Sequence, residues 1–268
     1  RIETMTLAEV KALKTKVSGY AVPTLQEFFT AFKGRNVSHF IELKSTTAGI
    51  VPLLKQELEK AGVKDQVVAI SFSGDQLNRM AATLPEISTG FLNSNVDTGD
   101  VGVSLRNILN ATQLYSSTYN PSYGSGLTQA TMEAAKHRGI TFWPWTVNNQ
   151  SDFHRLYSYG THGITTDYAH WAKDFPVAIS AAAAGTAAVG AGFSVPVALT
   201  SQIGAASSAT GNPLVVLDGA PAHTVAANGS VTFTAPGTAT ILPGYTYKMG
   251  DGTYSYTIFA KPMTVTVK

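Results

Sequence analysis

The feature that most constrains this chain is a change of pattern near residue 175. Before it, short apolar runs alternate with helical segments roughly every 20 to 30 residues, which indicates a parallel sheet with helical crossovers. An open doubly wound sheet and a closed (β/α)8 barrel both produce this alternation, so periodicity alone leaves the two open. The predicted strands are Ser38–Leu43, Val67–Phe72, Ile87–Leu92, Gln113–Tyr119, Ile140–Val147 and His162–Thr166.

Capping signals mark the helices between these strands. In the S/T-x-x-E/Q spacing, each side chain satisfies an unpaired backbone donor at the start of a helix. The predicted boxes are Thr6 with Glu9, Thr24 with Glu27, and Ser73 with Gln76. Glycines at 62, 139 and 160 follow helical segments, where a left-handed C-cap is needed. After Thr46, one helix is predicted to pack a single face on the sheet, formed by Ile50, Leu53, Leu54 and Leu58.

After Pro176 the chain is poor in charge and changes to short alternating segments. Asn228-Gly229 and Asp251-Gly252 are strong signals for tight hairpin turns, because these residues adopt positive φ at low cost. The predicted strands are Leu214–Leu217, Ser230–Thr234, Tyr245–Tyr247, Tyr254–Phe259 and Thr264–Val267. This pattern predicts a small antiparallel sandwich, broadly immunoglobulin-like. The predicted domains are therefore residues 1–175 and 176–268.

Charge and cysteine content narrow the function classes. A formal net charge of +2 with no long basic run argues against nucleic acid as the partner. The chain has no cysteine, which excludes disulfides, thiolate metal sites and a cysteine nucleophile, and favours an exported bacterial protein over a cytosolic one. No Asp, Glu, Lys or Arg occurs from Val177 to Leu217, but glycines and a proline interrupt this Ala-rich stretch. We therefore predict a linker into the β domain rather than a membrane span.

An acid and a base lie close together in the first predicted strand. Glu42 and Lys44 are two residues apart, so they share one face of the strand, while Ile41 and Leu43 share the other. The C-terminal ends of barrel strands carry the active site. There the carboxylate would bind a hard divalent cation and the lysine would neutralise a phosphate. An ion pair at the edge of the sheet is the other interpretation.

Trp145 lies near the C-terminal end of the fifth predicted strand. Its indole can form a wall against an apolar part of a substrate, or it can simply pack in the core. Asn148 is predicted to be the N-cap of the next helix. Asp167, at the end of the sixth predicted strand, is interpreted as a cap or a loop stabiliser.

In this order, the segments resemble the glycerophosphodiester phosphodiesterase family over about residues 4–170. The matching runs are VPTLQEFF, FIELK, VVAISF, EISTGFL, AAKHRGITFWPWTVNN and GITTDYA. The early MTLAEVKAL is also similar to the stretch that follows the family's second catalytic histidine. The strand ending in Glu-Leu-Lys and the Trp-Thr-Val-Asn segment are the specific parts of the resemblance.

The resemblance implies an incomplete (β/α)8 TIM barrel of about six β/α units. It also implies metal-dependent cleavage of a small-molecule or polymeric glycerophosphodiester to glycerol phosphate and an alcohol. Glu42 matches a metal-binding glutamate, with Mg²⁺ or Ca²⁺ as the cation. Lys44 matches the neighbouring phosphate-facing lysine, and Trp145 the tryptophan of the substrate wall.

No catalytic residue is expected within this chain. The family's His-Arg-Gly strand, two further metal carboxylates and both catalytic histidines are expected upstream of Arg1. The six histidines of the chain are interpreted as structural or surface residues: His39, His137, His154, His162, His170 and His223.

A barrel that lacks strands exposes unpaired backbone edges. We therefore expect an N-terminal segment or a separate complementing chain to complete the sheet, with a domain-swapped dimer as the alternative, and we expect the chain alone to be inactive. The protein is predicted to be secreted or on the bacterial cell surface, with the β domain as an accessory module. A hypothesis of a different class is a non-catalytic surface adhesion or glycan-binding protein with a degenerate barrel.

Overall fold

A computed structural model describes residues 2–94, 98–115, 118–125 and 127–268 of the chain. The chain forms two compact units, residues 1–146 with 161–165, and residues 147–160 with 166–268. The division into domains 1–175 and 176–268 stays a prediction.

The first unit alternates helices and strands. Its described residues form one parallel sheet of five strands in the order β1-β2-β3-β4-β5. Each new strand is added beside the previous one, whereas a doubly wound sheet reverses its strand order. This strand order therefore favours a barrel-like arrangement over a doubly wound sheet. The elements are α1 (Leu7–Ala12), α2 (Leu25–Ala31), β1 (His39–Glu42), α3 (Ile50–Ala61), β2 (Val67–Ser71), α4 (Gly74–Thr83), β3 (Ser88–Asn93), α5 (Val101–Tyr115), β4 (Thr118–Pro121), α6 (Gln129–Lys136) and β5 (Thr141–Phe142).

The parallel sheet is strongly curved. In a flat sheet, β1 and β5 would be separated by four strand spacings, or about 19 Å. Instead, the ring centroids of Phe40 on β1 and Trp143, directly after β5, are 4.8 Å apart. Phe72 after β2 and Trp145 also make an edge-to-face contact, at 5.3 Å. One face of the sheet is therefore concave, as in a barrel wall.

The predicted sixth strand, His162–Thr166, is not a regular strand. His162 N and Thr165 N donate to the carbonyl oxygens of Phe142 and Pro144, at 3.1 and 2.9 Å. The return bonds of a parallel ladder are missing. Pro144 has no N–H to donate, and the N–H of Phe142 instead donates to Nδ1 of His162 at 3.2 Å. The prediction of about six β/α units therefore corresponds to five strands plus this irregularly paired segment.

A second correction concerns the predicted strand Gln113–Tyr119. The chain is helical through Tyr115, where α5 ends, and the strand β4 begins only at Thr118. Residues 116–117 lie outside the described residues. The apolar run was too short to distinguish the end of a helix from the start of a strand.

Two of the three predicted capping boxes are confirmed, those of Thr6 with Glu9 and Thr24 with Glu27. The third is only half formed. Ser73 accepts from Gln76 N at 3.4 Å, but the Gln76 side chain points elsewhere. The predicted glycine C-caps at 62, 139 and 160 have φ values of 68°, 73° and 74°. On α3 the buried face consists of Val51, Leu54 and Leu58, whereas Leu53 is 58% exposed.

The second unit contains one α-helix, α7 (Gln150–Ser158), among its described residues, together with short strands. Their pairing is antiparallel except between β7 and β16. The sheets are β10-β9-β6, β12-β13-β8, and β11-β14-β16-β7 with β15 beside β14. The strands are β6 (Pro176–Ser180), β7 (Ala184–Ala187), β8 (Gly192–Phe193), β9 (Pro196–Ser201), β10 (Ala206–Thr210), β11 (Leu214–Val216), β12 (His223–Val225), β13 (Val231–Phe233), β14 (Gly237–Met249), β15 (Tyr254–Phe259) and β16 (Met263–Val267).

One buried cluster joins these sheets. It includes Leu199 of β9, Phe233 of β13, Ile241 of β14 and Val265 of β16. Strands of several sheets in the second unit therefore share one buried core, and the sandwich arrangement stays a prediction. The predicted segment Tyr245–Tyr247 lies within the longer strand β14, which pairs with β16 along its first part and with β15 along its second. The immunoglobulin-like topology stays a prediction.

An aromatic cluster attaches α7 to the strands of the second unit. Tyr157 of α7 lies 5.0 Å from the ring of Phe175 and 5.0 Å from that of Tyr256 on β15. Tyr247 of β14 lies 5.3 Å from Phe175. The hydroxyl of Tyr256 donates to the carbonyl oxygen of Pro176 at 2.7 Å. Burial raises the pKa of both Tyr157 and Tyr256, so the two phenols stay protonated.

Among the described residues, no helix has the length and apolar character needed to cross a membrane. The uncharged stretch from Val177 to Leu217 was predicted to be a linker, and this is wrong. It consists of short strands and turns, because its apolar side chains, such as Val197 and Leu199, are buried in the core of the second unit.

The curved face can be tested at Gly163, where a Cβ atom would overlap the indole of Trp143. Because Trp143 packs against Phe40, it cannot move away freely. We expect Gly163→Ala to lower the free energy of unfolding by about 1–3 kcal/mol. Urea unfolding measures the loss. The control is Gly49→Ala, where a Cβ meets nothing within 4 Å. A loss no larger than that of the control would contradict this packing.

The attachment of α7 can be tested at Tyr256. Tyr256→Ala removes its ring contacts and the hydrogen bond to Pro176, so we expect a loss of about 2–4 kcal/mol in unfolding free energy. We also expect faster amide deuterium exchange in residues 150–158. Ser255→Ala, an exposed change on the opposite face of β15, is the control. Unchanged exchange in α7 would show that the cluster does not hold this helix.

Candidate active site at the carboxyl ends of the parallel strands

The carboxyl ends of β1 and β2 are paired one residue beyond β1. Glu42 pairs with Ile70, and Leu43 N donates to Ile70 O at 2.8 Å. Lys44 and Phe72 follow these paired ends, Lys44 two residues after β1 and Phe72 directly after β2. The carboxyl ends of parallel strands meet at one edge of the sheet, which is where barrel enzymes have their active sites.

Side-chain alternation places Glu42 and Lys44 on the concave face. His39 packs among the phenylalanine rings of α2, and Ile41 and Leu43 belong to the buried cluster with α3. These odd-numbered residues therefore face the helices. Glu42 and Lys44 face the other way, together with Phe40. The predicted face assignment is confirmed, and Glu42 is not buried against the helices.

Glu42 and Lys44 form an ion pair. Lys44 Nζ lies 2.7 Å from Glu42 Oε2, and the two side chains are 78% and 27% exposed. Exposed pairs of this kind stabilise a protein by only about 0–1 kcal/mol. A bound anion can therefore replace Glu42 as the partner of Lys44 at a small cost in free energy. The geometry is compatible with both interpretations, an edge ion pair and a ligand-binding pair.

Trp145 is held at the same edge by two contacts. Its indole N–H donates to the backbone oxygen of Asn120 at 2.7 Å, and its ring meets Phe72 edge to face. The backbone N–H of Trp145 donates to Pro121 O at 3.0 Å, so the pairing with β4 continues past β5. Trp145 is half-buried and oriented by these contacts, with part of its surface accessible.

An open cavity of about 430 Å³ lies beside the ion pair. Phe72, 53% exposed, forms one side of it. The sequence alone does not indicate Phe72 as a site residue. It is the last residue of the second predicted strand, and Lys44 directly follows the first predicted strand. The cavity is lined by Glu42, Leu43, Lys44, Thr46, Ser71, Phe72 and Ser73.

Buried polar side chains fix the loops around this cavity. Ser71 Oγ donates to Leu43 O at 2.7 Å and accepts from Ser73 N at 3.0 Å, which joins the ends of β1 and β2. Gln76 of α4 donates through Nε2 to Ser45 O at 3.1 Å and to Thr47 O at 2.9 Å. Gln76 is 1% exposed. It therefore holds the loop after Lys44 instead of completing the predicted capping box.

In the second unit, Asn148 is not the N-cap of α7. Asn149 takes that role, accepting from Asp152 N at 3.0 Å. The Asn148 amide instead donates to Asp167 Oδ2 at 2.7 Å and accepts from Asp167 N at 3.0 Å. Asp167 is thus a loop stabiliser, as predicted.

None of the histidines lines the cavity, which is bordered only by described residues. His39 is buried on the helix side, and His137 caps the end of α6. His162 accepts a backbone hydrogen bond, and burial, with the charge of Lys136 adding to it, lowers the pKa of this imidazole. In the second unit His154 is buried on α7, His170 lies in a 3₁₀ turn, and His223 Nδ1 lies 2.9 Å from Pro221 O.

The residues present do not make a complete site for a hard cation. Mg²⁺ and Ca²⁺ take six or more oxygen ligands. Glu42 supplies one carboxylate, and one of its oxygens contacts Lys44. Within residues 2–94, 98–115, 118–125 and 127–268, no group of three or more His, Asp and Glu side chains could hold a metal ion.

A model of the glycerophosphoryl diester phosphodiesterase family matches residues 1–170. The chain belongs to this family. The match includes Glu42 of β1 and Trp145, which follows β5, whereas the sheets of the second unit lie outside it.

Curated relatives are moderately similar. A glycerophosphodiester phosphodiesterase of Bacillus subtilis is 29% identical over 163 residues, which are 58% of this chain and 54% of the relative. One of Caldanaerobacter subterraneus is 28% identical over 178 residues, which are 62% of this chain and 69% of the relative. The chain therefore spans about half the length of the Bacillus protein. Nothing in these relatives supports a separate N-terminal complementing chain, which stays a prediction.

Solved structures support the fold. The glycerophosphodiester phosphodiesterase of Parabacteroides distasonis superposes with a TM-score of 0.54 at 22% identity, covering 63% of this chain and 69% of that one. A phosphodiesterase of Oleispira antarctica, solved with the product sn-glycerol-3-phosphate, gives 0.54 at 21% identity, covering 62% and 68%. The first unit thus has the TIM-barrel-like α/β fold of these proteins.

The role of Gln76 can be tested by Gln76→Ala. Two part-buried hydrogen bonds, to Ser45 O and Thr47 O, would be lost, so we expect a loss of about 1–3 kcal/mol in unfolding free energy. Amide exchange in residues 45–48 should accelerate with it. Gln56→Ala, an exposed change on α3, should alter neither quantity. If the loop keeps its protection without Gln76, another contact positions it.

Proposed function

We propose that this chain carries part of the active site of a glycerophosphodiester phosphodiesterase, which hydrolyses a glycerophosphodiester to glycerol phosphate and an alcohol. The family match supports the reaction class. One observation carries the location. The ion pair of Glu42 and Lys44 and the ring of Phe72 line one cavity, and that ring contacts Trp145.

Lys44 is proposed to bind the phosphate oxygens of the substrate. Its ammonium group is exposed and held near the cavity by Glu42, so a phosphate can replace or share that contact. Charge-assisted hydrogen bonds of this type are about twice as strong as neutral ones. Trp145, whose indole orientation is fixed by Asn120, forms a wall of the substrate site.

The catalytic groups and the metal stay predictions. Glu42 is proposed as one carboxylate ligand of a divalent cation, Mg²⁺ or Ca²⁺. The general acid and base are proposed to be histidines outside this chain, in a segment that also completes the barrel. On this proposal the 268-residue chain is inactive alone.

The remaining features are proposed on composition and pattern. The substrate is either a small molecule or a polymer with glycerophosphodiester links. The β-rich region is proposed to be an immunoglobulin-like accessory module of a secreted or cell-surface bacterial protein. The absence of cysteine supports export.

The proposal is tested by assaying release of glycerol phosphate from a panel of glycerophosphodiesters with Mg²⁺ or Ca²⁺. The assay uses the 268-residue chain and a version extended by any upstream coding sequence. In the active form, Glu42→Gln and Lys44→Met should each lower kcat/KM by at least about 100-fold, since the first removes a proposed carboxylate ligand of the cation and the second removes the positive charge proposed to bind the phosphate. Glu133→Gln, which breaks the ion pair with Lys136 on α6, is the control.

Hydrolysis that is unaffected by Glu42→Gln would contradict the location of the site. If neither form hydrolyses any diester, and the upstream sequence has no His-Arg-Gly strand, the enzymatic proposal fails. The surface adhesion or glycan-binding hypothesis would then be preferred.

A further inference from the structure

We infer that a cavity at the amino ends of β1 and β2 binds a small, doubly charged oxyanion of the phosphate type. The cavity has a volume of about 320 Å³ and is bordered by the ends of α2 and α3. Ligand pockets range over roughly 300–1,000 Å³, so this volume indicates a small ligand. The polar part of its lining includes Lys33, His39, Lys60 and Gln66.

This cavity is separate from the proposed active site. His39 is the first residue of β1, whereas Lys44 follows its last residue, so about 17 Å of extended chain lies between them. Their side chains also lie on opposite faces of the sheet, His39 toward α2 and Lys44 on the concave face. Binding at the amino ends therefore does not depend on the proposed function.

The charge in the cavity has one sign. Lys33 and Lys60 both line it, and no Asp or Glu is among the described residues of its lining. Within the described part of the chain, neither ammonium group forms an ion pair or a hydrogen bond. Of the acids nearest in sequence, Glu59 pairs with Lys64 at 3.2 Å, and Asp65 is exposed outside the lining. Because the two lysines repel each other, a bound anion lowers the energy of both.

A buried imidazole is the second, independent observation. His39 is 6% exposed and lines the cavity. The ring centroids of Phe28, Phe29 and Phe32 lie 5.3, 5.4 and 5.7 Å from it. Among the described residues its side chain has no hydrogen-bond partner, and its nitrogens are not sealed in the core. An imidazole always has at least one N–H to donate, and buried donors are normally satisfied. An oxyanion in the cavity supplies the acceptor.

Helix ends explain only part of this arrangement. Lys60 lies in the last turn of α3 and Lys33 follows α2, where a cation interacts favourably with the helix dipole. The dipole accounts for one lysine at each end, but not for the buried imidazole beside them. It also opposes an anion, so the two ammonium groups must supply the attraction. Removing either lysine is therefore expected to weaken binding.

The test is a titration of the ¹⁵N-labelled 268-residue chain with inorganic phosphate at constant ionic strength. All proteins carry Lys44→Met, so that the phosphate site of the proposed function does not contribute. The amide signals of Gly34 and Gly62, both in the cavity wall, report binding. Titrations with methyl phosphate and with acetate follow the same signals.

The variants remove one group at a time. Lys33→Gln and Lys60→Gln each remove one charge, and His39→Phe removes the imidazole donor but keeps an aromatic ring among the phenylalanines. Lys55→Gln, which removes a charge on α3 outside the lining, is the matched control.

We expect phosphate to shift both glycine signals saturably. Lys33→Gln, Lys60→Gln and His39→Phe should each weaken binding about three- to tenfold, because each removes a hydrogen bond or an attraction to the anion. Lys55→Gln should leave the affinity within about twofold. Acetate, with a single charge, should bind more weakly than phosphate. Methyl phosphate identifies the source of the ligand: binding as tight as phosphate assigns the site to phosphate esters, and weaker binding assigns it to free phosphate.

An absence of shifts at up to about 20 mM phosphate would contradict this site. Equal affinities in Lys33→Gln, Lys60→Gln and Lys55→Gln would contradict it as well, since the attraction would then come from general charge. Circular dichroism checks the fold of His39→Phe, and the two lysine variants, which change exposed residues, decide the question in any case. Hydrolysis plays no part in the readout, so a negative result leaves the proposed function intact.

Discussion

The hydrogen bond from Leu43 N to Ile70 O, just beyond the end of β1, sets the register on which the site depends. Because side chains alternate along a strand, a slip of one residue would turn Glu42 and Lys44 toward the helices. The Ser71 hydroxyl stabilises this pairing by donating a hydrogen bond to Leu43 O. The same register that buries Leu43 against α3 therefore presents the charged pair on the concave face.

Curvature is the second constraint. Strands that are far apart in the sheet order approach each other only because the sheet bends. The ring contact between Phe40 and Trp143 is the evidence for this curvature. Without it, Trp145 could not meet Phe72, and the features of the site would be spread along a flat edge.

The residues matched by the family model do not end where the first compact unit ends. Helix α7 lies within the matched residues 1–170, but its aromatic side chains pack on β15 and on Phe175, outside the match. A helix of nine residues is marginal without tertiary packing. The β-rich region is therefore part of what stabilises α7, whatever else it binds.

Local signals in the sequence were sufficient where the partners are close along the chain. The capping boxes of Thr6 and Thr24 join residues three apart, and their geometry follows from the helix itself. The face shared by Glu42 and Lys44 follows equally from the two-residue period of a strand. Family-specific motifs added the reaction class, which periodicity does not contain.

Tertiary structure decided what depends on distant partners. Gln76 has the spacing of a capping box, yet its amide binds carbonyl groups 29 and 31 residues away in the chain. The predicted sixth strand does not form a regular ladder, because Pro144 in the neighbouring segment has no N–H to donate to it. Phe72 looked like an ordinary strand residue, and only the curved sheet brings Trp145 to it. The sequence by itself therefore determined most of the elements, the faces of the first strand and the family, whereas the approach of separate strands, which no local pattern encodes, determined the shape of the site.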